Sequence, residues 1–251
     1  MFRKIWYDLG KFFVSVVARA GFELNIQWDA PLPDEPVILA ANHPSTFDPA
    51  LLTTLIKRRI SVLIHGPIFK LPVFGRSLLY CGHIPVIRGS GGESLAHAEA
   101  LLKAGRSVAI FPEGAISPPG GFHTGRTGVA RLALRSGAPV IPVGISLDHK
   151  RLLRVEQTID GVTDTGGYYF HGPYAMTVGR PARFKGSVDD HSLVRNIAAE
   201  VMEQIIQLSL ESSRRSRAYS KQNWWFTTRW WMYSPLRLIR SWNIFANARI
   251  R

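Results

Sequence analysis

The chain has 251 residues, enough for one large domain or two small ones with a well-buried core. Hydrophobic residues make up 46% and charged residues 20%, a balance that excludes global disorder, while a formal charge of +13 asks for an anionic partner: nucleic acid, a membrane surface or a phosphorylated substrate. The single cysteine, Cys81, excludes an internal disulfide and a Cys-rich zinc site, and fits a reducing compartment.

Residues 3–20 read as a helix, because Ile5, Trp6, Leu9, Phe12, Phe13, Val16 and Val17 recur at three- and four-residue steps, and Gly21 ends the pattern. Such a helix either docks on the core or lies in a bilayer interface. Pro31, Pro33 and Pro36 mark a loop, after which residues 37–41 form a short buried strand. Asp48-Pro49 then starts a helix over 50–59, with Asp48 in the N-cap position. Strands follow at 60–64, 83–87, 107–111 and 139–145, with helices at 92–104 and 128–136 between them. Residues 157–172, rich in Gly, Thr and Tyr, read as a loop; 175–184 return to strand character, and 191–210 form an amphipathic closing helix. This alternation predicts an α/β fold: a single domain with a mixed, largely parallel central sheet flanked by helices. The organisation expected is an N-terminal amphipathic helix over 1–24, a catalytic-type domain over 25–212, and a basic aromatic C-terminal tail over 213–251.

The charge is concentrated in that tail. From Arg214 onward there are nine basic residues and no acidic ones, whereas the first 213 residues hold 22 Lys and Arg against 18 Asp and Glu. Five of the seven Trp lie there too, and Ser234-Pro235 restarts a helix in which Leu238, Ile239, Trp242 and Phe245 share a face. Trp beside Arg is the pairing an interfacial segment requires, with rings at headgroup depth and cations near anionic phosphates. A tail folded over the core is the alternative. The near-neutral body argues against nucleic acid as the partner. No apolar run has the length of a membrane span, and the short run 12–18 is bracketed by Lys11 and Arg19 without a cleavage site. The expected location is therefore peripheral, on the cytoplasmic side of the cell membrane.

Four local features could carry chemistry. His43 and Asp48, in Asn-His-Pro-Ser-Thr-Phe-Asp, stand at a strand-to-helix junction, where a carboxylate could fix the tautomer of an imidazole acting as general base. Their bland reading is a loop histidine and a helix cap. Glu113 and Gly114 follow an apolar strand in Phe-Pro-Glu-Gly, at the kind of strand end where α/β folds bind ligands, or else they simply build a turn. Arg88 and Arg126 also follow strands, and a guanidinium suits a phosphate. Last is Ala-Pro-Val-Ile-Pro-Val-Gly-Ile over 138–145, whose prolines mark an edge or irregular strand. Ser45 lacks a Gly-x-Ser-x-Gly setting, Cys81 reads as a core thiol beside His83, and the remaining histidines show no metal-ligand spacing, so neither a nucleophile nor a metal is expected.

In this order the segments resemble the four motif blocks of the 1-acylglycerol-3-phosphate O-acyltransferase family, also called the glycerolipid or lysophospholipid acyltransferases, over residues 35–185. NHPSTFDP is similar to the block with His, four residues and Asp; GHIPVIRG to the second, with Arg88 in the basic position; FPEGAIS to the third; APVIPVGI to the fourth. The second block lacks the acidic residue that some members carry before the arginine, and the third runs into Ser-Pro-Pro-Gly-Gly-Phe-His, a loop that bears on acceptor selectivity.

The resemblance implies an O-acyltransferase that moves a fatty acyl group from acyl-CoA or acyl-carrier protein to the free hydroxyl of a lysophospholipid, with 1-acylglycerol-3-phosphate as the leading acceptor. It implies that His43 is the general base, that Asp48 orients it, and that Arg88, Glu113 and Gly114 bind the acceptor's glycerol-phosphate portion. Arg126 joins them because it follows the third block. No cofactor is implied beyond the acyl thioester co-substrate. Two rival readings use the same residues: an acyl-thioester hydrolase, and a non-catalytic membrane-binding protein whose functional part is the tail.

Overall fold

A computed structural model describes residues 2–87, 89–159, 161–222 and 249–250. Helix α1 (Phe2–Gly21) leads into strand β1 (Phe22–Trp28), then β2 (Ile38–Ala41), α2 (Asp48–Leu55), β3 (Ile60–His65), α3 (Phe74–Cys81), β4 (Ile84–Val86), α4 (Gly91–Lys103) and β5 (Ser107–Ile110). After these come α5 (Gly128–Ser136), β6 (Val140–Leu147), β7 (Leu153–Ile159), β8 (Val162–Tyr168), β9 (Gly172–Val178) and α6 (His191–Gln222); Arg249–Ile250 adds a short strand, β10, to β7.

The main sheet has seven strands in the order β1-β9-β6-β2-β5-β3-β4. From β6 through β4 neighbouring strands run parallel; β9 pairs antiparallel with β6, and β1 runs parallel to β9. A mixed, largely parallel α/β sheet is thus the architecture the sequence predicted. Its central strands are short apolar runs because both faces are covered. Leu39 and Ala41 face the layer holding Leu51 and Leu52 of α2, Ile56 just after it, and Ala18 of α1. Ile38 and Ala40, pointing the other way, meet α4, α5 and α6 through Ala98, Leu102, Leu132, Val201 and Ile205. The long helix α6 crosses β6 so closely that a Cβ on Gly144 would stand 2.1 Å from the Ser209 amide nitrogen, which is why glycine occupies the middle of a buried strand there.

Several expectations are corrected. Residues 157–172 are not a loop: most of that stretch belongs to the antiparallel hairpin β7–β8, in register from Leu153 opposite Tyr168 to Ile159 opposite Val162. Its glycines and threonines serve a strand lying against other backbone, not a coil. β6 is neither an edge nor irregular; it sits between β9 and β2. Pro142 is tolerated because its carbonyl accepts from Gly179 N at 2.8 Å where the β6–β9 ladder has ended, so the missing N–H falls where no ladder bond is required. The boundary expected at residue 24 falls inside β1, and α6 continues through residue 213 as far as Gln222. Within α6, Arg215 bonds Asn25 Oδ1 at 2.6 Å, Gln27 Oε1 at 2.8 Å and Met176 O at 2.8 Å, so this cation ties the helix to β1 and β9. The five Trp residues of the tail and the expected helix from Ser234 lie outside the described residues.

Candidate active site

β2 ends at Ala41, and the next residues turn across the carboxyl ends of the parallel strands, where open α/β sheets bind ligands. Asn42 fixes the turn: its amide donates to Ile145 O at 2.9 Å and accepts from Ile145 N at 2.7 Å. His43 follows. Its backbone N–H reaches Glu113 Oε1 and Ser117 Oγ, each at 3.1 Å, and its carbonyl accepts from Ser117 N at 2.8 Å. The ring stacks on Phe111 with centroids 4.1 Å apart.

The imidazole Nδ1 lies 2.9 Å from Asp48 Oδ2, and Asp48 is fully buried while the His43 side chain keeps 16% exposure. A buried carboxylate needs donors on both oxygens. Oδ2 also accepts from Ser45 N at 2.8 Å, and Oδ1 accepts from the hydroxyl of Tyr174, itself fully buried on β9. Burial first, and the Asp48 charge second, hold the Tyr174 hydroxyl well above the usual phenol range, so it stays protonated and donates. Asp48 is therefore not the cap of α2: the residue before the helix is Phe47, and no side-chain cap bond forms. Its carboxylate points back across the turn to His43 instead. With Nδ1–H held by Asp48, Nε2 is the nitrogen left to accept a proton.

The other expected site residues divide. Gly114 takes φ +68°, and a Cβ there would meet Arg126 Nε at 2.7 Å; Gly114 and Arg126 are packed together, and both line the cavity that His43 lines. Glu113 is placed differently. It is 2% exposed, Oε1 accepts from Ser117 Oγ at 2.6 Å as well as from His43 N, and Oε2 accepts from His123 N at 2.7 Å. Both carboxylate oxygens thus hold the chain, joining the Phe-Pro-Glu-Gly turn to the His43 turn, and Glu113 is not among the cavity-lining residues. Arg88 lies outside the described residues. Ser45 is buried and donates from Oγ to Gly167 O at 3.2 Å. Cys81 lines the cavity, and burial pushes its thiol up, away from the thiolate. Among the described residues no three His, Cys, Asp or Glu side chains converge as metal ligands would.

The cavity measures about 990 Å³. On one side Val14, Ile64, Ile68 and Leu78, from α1, β3, α3 and the turn between β3 and α3, give it an apolar wall. On another, Arg126, just before α5, and Arg131 and Arg135 on it border the cavity. The hairpin supplies Gln157, Ile159, Val162 and Asp164, and it is clasped to the His43 turn: Thr46 N donates to Gly167 O at 2.7 Å and Gly167 N to Thr46 Oγ1 at 3.0 Å. Tyr174 and the hairpin are what sequence reasoning missed. Tyr174 carries no local signal, since its partner is 126 residues away in the chain.

A histidine held by a buried carboxylate, an apolar wall and a row of cations around one cavity suit transfer of a lipid group. The acyltransferase family profile matches residues 23–146, which contain His43, Asp48, Glu113, Gly114 and Arg126. Residues 23–146 are an acyltransferase family domain. Over 146 residues it is 30% identical to the chloroplastic 1-acyl-sn-glycerol-3-phosphate acyltransferase of Arabidopsis thaliana, covering 56% of this chain and 41% of that protein. The 1-acyl-sn-glycerol-3-phosphate acyltransferase of Pseudomonas aeruginosa is 27% identical over 142 residues, 55% and 54% of the two chains. The lyso-ornithine lipid O-acyltransferase of the same organism is 31% identical over 131 residues, 51% and 49%. The chain spans about half the length of the curated relatives it matches. The crystal structure of the 1-acyl-sn-glycerophosphate acyltransferase PlsC from Thermotoga maritima shares its fold, with a TM-score of 0.55 over 82% of this chain and 79% of that one at 21% identity. The hairpin at 153–168 lies beyond the family match, yet it walls the same cavity.

Proposed function

We propose that the protein is an O-acyltransferase that moves a fatty acyl group from a thioester donor, acyl-CoA or acyl-carrier protein, to the free hydroxyl of a lysolipid, with 1-acylglycerol-3-phosphate the first acceptor to test. The observation that carries this reading is the 2.9 Å contact from His43 Nδ1 to a fully buried Asp48, at the wall of a cavity that is apolar on one side and cationic on another. The relatives' names point to the same chemistry.

In the reaction His43 Nε2 takes the proton of the acceptor hydroxyl as its oxygen attacks the thioester carbonyl carbon. The carbon–sulfur bond then breaks, the ester forms, and the departing thiolate takes the proton from the imidazolium. Asp48 holds the ring by Nδ1–H and balances the charge that builds on it. Tyr174 and Ser45 N hold Asp48, and Glu113 with Ser117 holds the backbone of His43. These are positioning residues. Attack is direct: Ser45 is buried with its hydroxyl bonded to the chain, and the Cys81 thiol is pushed away from its reactive form. The apolar wall takes the acyl chain, and Arg126, packed on Gly114 at the turn beside His43, takes the acceptor's phosphate. Arg88 is proposed to share that task.

The acceptor is delivered from a membrane surface. Phe2 is 78% exposed, Phe12 65%, and Ile5, Trp6, Leu9, Val16 and Val17 are exposed with them. Val73 and Phe74, at the start of α3, are exposed as well, and Trp6 Nε1 bonds Ser77 Oγ at 2.9 Å across the two helices. No helix of the described residues is long and apolar enough to cross a membrane. A helix of this kind lies in the headgroup region with its apolar face down, so we place the enzyme peripherally, on the cytoplasmic leaflet. The cationic tail adds attraction to anionic lipid.

The test is to incubate the purified protein with anionic vesicles, acyl-CoA or acyl-carrier protein, and a panel holding 1-acylglycerol-3-phosphate, lyso-ornithine lipid and other lysolipids, following products by mass spectrometry. An acylated lipid that depends on the acceptor supports the reading and names the acceptor. Free fatty acid without it makes the protein a thioester hydrolase. Consumption of no donor in the presence of full vesicle binding makes it a membrane-binding protein.

A further inference from the structure

The cavity is unevenly charged. Among its described lining residues the acidic one is Asp164, on the hairpin, and it stands 3.8 Å from His65 Nε2. Along α5 the lining is cationic. Gly128, Arg131 and Arg135 follow one another at steps of three and four, so one stripe of the helix borders the cavity for about 10 Å at the usual rise per residue. Ala130, Leu132 and Ala133 of the same helix are buried in the core, as is Val129, which also borders the cavity. Arg131 is half-buried and Arg135 exposed, and neither guanidinium has a hydrogen-bond or ion-pair partner among the described residues; the same holds for Arg126. Three unpaired cations in a row along one cavity wall repel one another and are kept together without an internal counter-charge.

Their order follows from the topology. β5 and β6 are both parallel to β2, and α5 connects them, so it runs back against the strands. Its first turn lies at the carboxyl ends of the strands beside His43, and its last turn lies toward the start of β6. Arg126, packed on Gly114, is nearest the reacting centre; Arg131 is farther out, and Arg135 farther still. The proposed reaction brings two anions into this space. In the acceptor the phosphate sits a few bonds from the attacking hydroxyl and needs a near cation. In the donor the phosphate is separated from the thioester carbon by the whole pantetheine arm and needs a distant one.

We infer that Arg131 and Arg135 form a second anion subsite, which holds the phosphate end of the acyl donor's phosphopantetheine arm while Arg126 holds the acceptor. This rests on the acyl-transfer reading above. Both donor types carry that phosphate, as the link to the nucleotide in acyl-CoA and as the link to the protein in acyl-carrier protein. The arm would lie along the groove between α5 and the first turn of α4, whose Gly91, Gly92, Ser94 and Leu95 line the same cavity.

The experiment compares the full-length parent with the Arg131→Gln/Arg135→Gln variant in steady-state acyl transfer, using acyl-CoA, acyl-carrier protein and a short acyl-N-acetylcysteamine thioester that lacks phosphate. CoA binding is measured beside it by calorimetry, which needs no turnover. We expect KM for acyl-CoA to rise tenfold or more, KM for the lysolipid to stay unchanged, equal rates on the phosphate-free thioester, and CoA affinity to fall in step. A rise for acyl-carrier protein as well supports the shared phosphate of the arm, whereas a rise for acyl-CoA alone would move the contact to the nucleotide's phosphates and overturn the assignment to the arm. A rise in the lysolipid KM instead would overturn it, as would equal losses on the phosphate-free thioester or unchanged CoA affinity. If no donor is turned over yet CoA affinity falls in the variant, the subsite stands and the acyl-transfer reading fails.

Discussion

The Tyr174 hydroxyl donates to Asp48 Oδ1 from the far side of the carboxylate that holds His43, and all of Tyr174 is buried. The two residues come from β9 and from the first position of α2, so the strand that reverses the sheet's direction also braces its candidate base. Tyr174→Phe keeps the ring and removes only the donor. A lost bond to a charged acceptor is worth about 1.5–3 kcal/mol. With the carboxylate held by one fewer donor, kcat should fall by roughly tenfold at unchanged KM for both substrates. Added to Asp48→Asn, the same change should cost little more, because Tyr174 acts through Asp48. Full additivity in that cycle would reduce Tyr174 to a packing residue.

Glu113 offers a cleaner contrast between two readings. The resemblance assigns it to the acceptor, which predicts a raised KM for the lysolipid in Glu113→Gln. The geometry instead has both oxygens accepting from Ser117, His43 and His123, so a Gln amide would turn a donor toward a donor. The expected outcome is a loss of about 1–3 kcal/mol in urea unfolding and a lower kcat, with the acceptor KM unmoved.

His83 makes stability depend on pH. Burial, reinforced by Arg106, lowers its pKa to about 4, and its Nδ1 accepts from Val62 N at 3.2 Å. The unfolded chain binds this proton below about 6.5, so between that value and 4 the unfolded state holds more protons than the native one. Stability should therefore fall with acidification by about 2 kcal/mol from pH 7 to pH 5 on this residue's account. Urea denaturation of the parent and of His83→Gln at the two pH values checks it: the difference between them should shrink as the pH drops. A constant difference would contradict it.

Leu9, Phe12 and Val16 lie on the exposed side of α1 and touch no part of the proposed chemistry. Replacing Leu9 and Phe12 by Ser should leave the melting temperature unchanged and weaken sedimentation with anionic vesicles at least tenfold, since burying each large apolar side chain is worth about 1.5–3 kcal/mol. Unchanged sedimentation would assign membrane contact to other parts of the chain.

How much of this was legible beforehand depended on how local each feature is. β2, β3 and β5 are short apolar runs that stand out because both sheet faces are covered, and α1, α4 and α5 show a helical period. β1 went unseen because its Asn25 and Gln27 are polar; they face Arg215 of α6, a partner no window of sequence contains. α3 was hidden by Gly75, where a Cβ would stand 2.0 Å from the Phe69 carbonyl oxygen, so packing placed a helix-weakening residue inside the helix. The hairpin's glycines mimic a coil for a similar reason: Gly167 lies against the Pro44 carbonyl, with 3.1 Å left for a Cβ. At the site, His43 and Asp48 could be paired from five residues' separation, whereas the roles of Tyr174 and Glu113 are set by tertiary contacts.

If His43, held by Asp48, is the base for acyl transfer, the rate of acyl-lipid formation from acyl-CoA and 1-acylglycerol-3-phosphate must separate the parent from His43→Ala and Asp48→Asn. Circular dichroism and melting should first show each variant folded. The expected loss is at least a thousandfold for His43→Ala and large but smaller for Asp48→Asn, with vesicle binding intact in both. Acyl transfer by a folded His43→Ala protein at the parent's rate would contradict it.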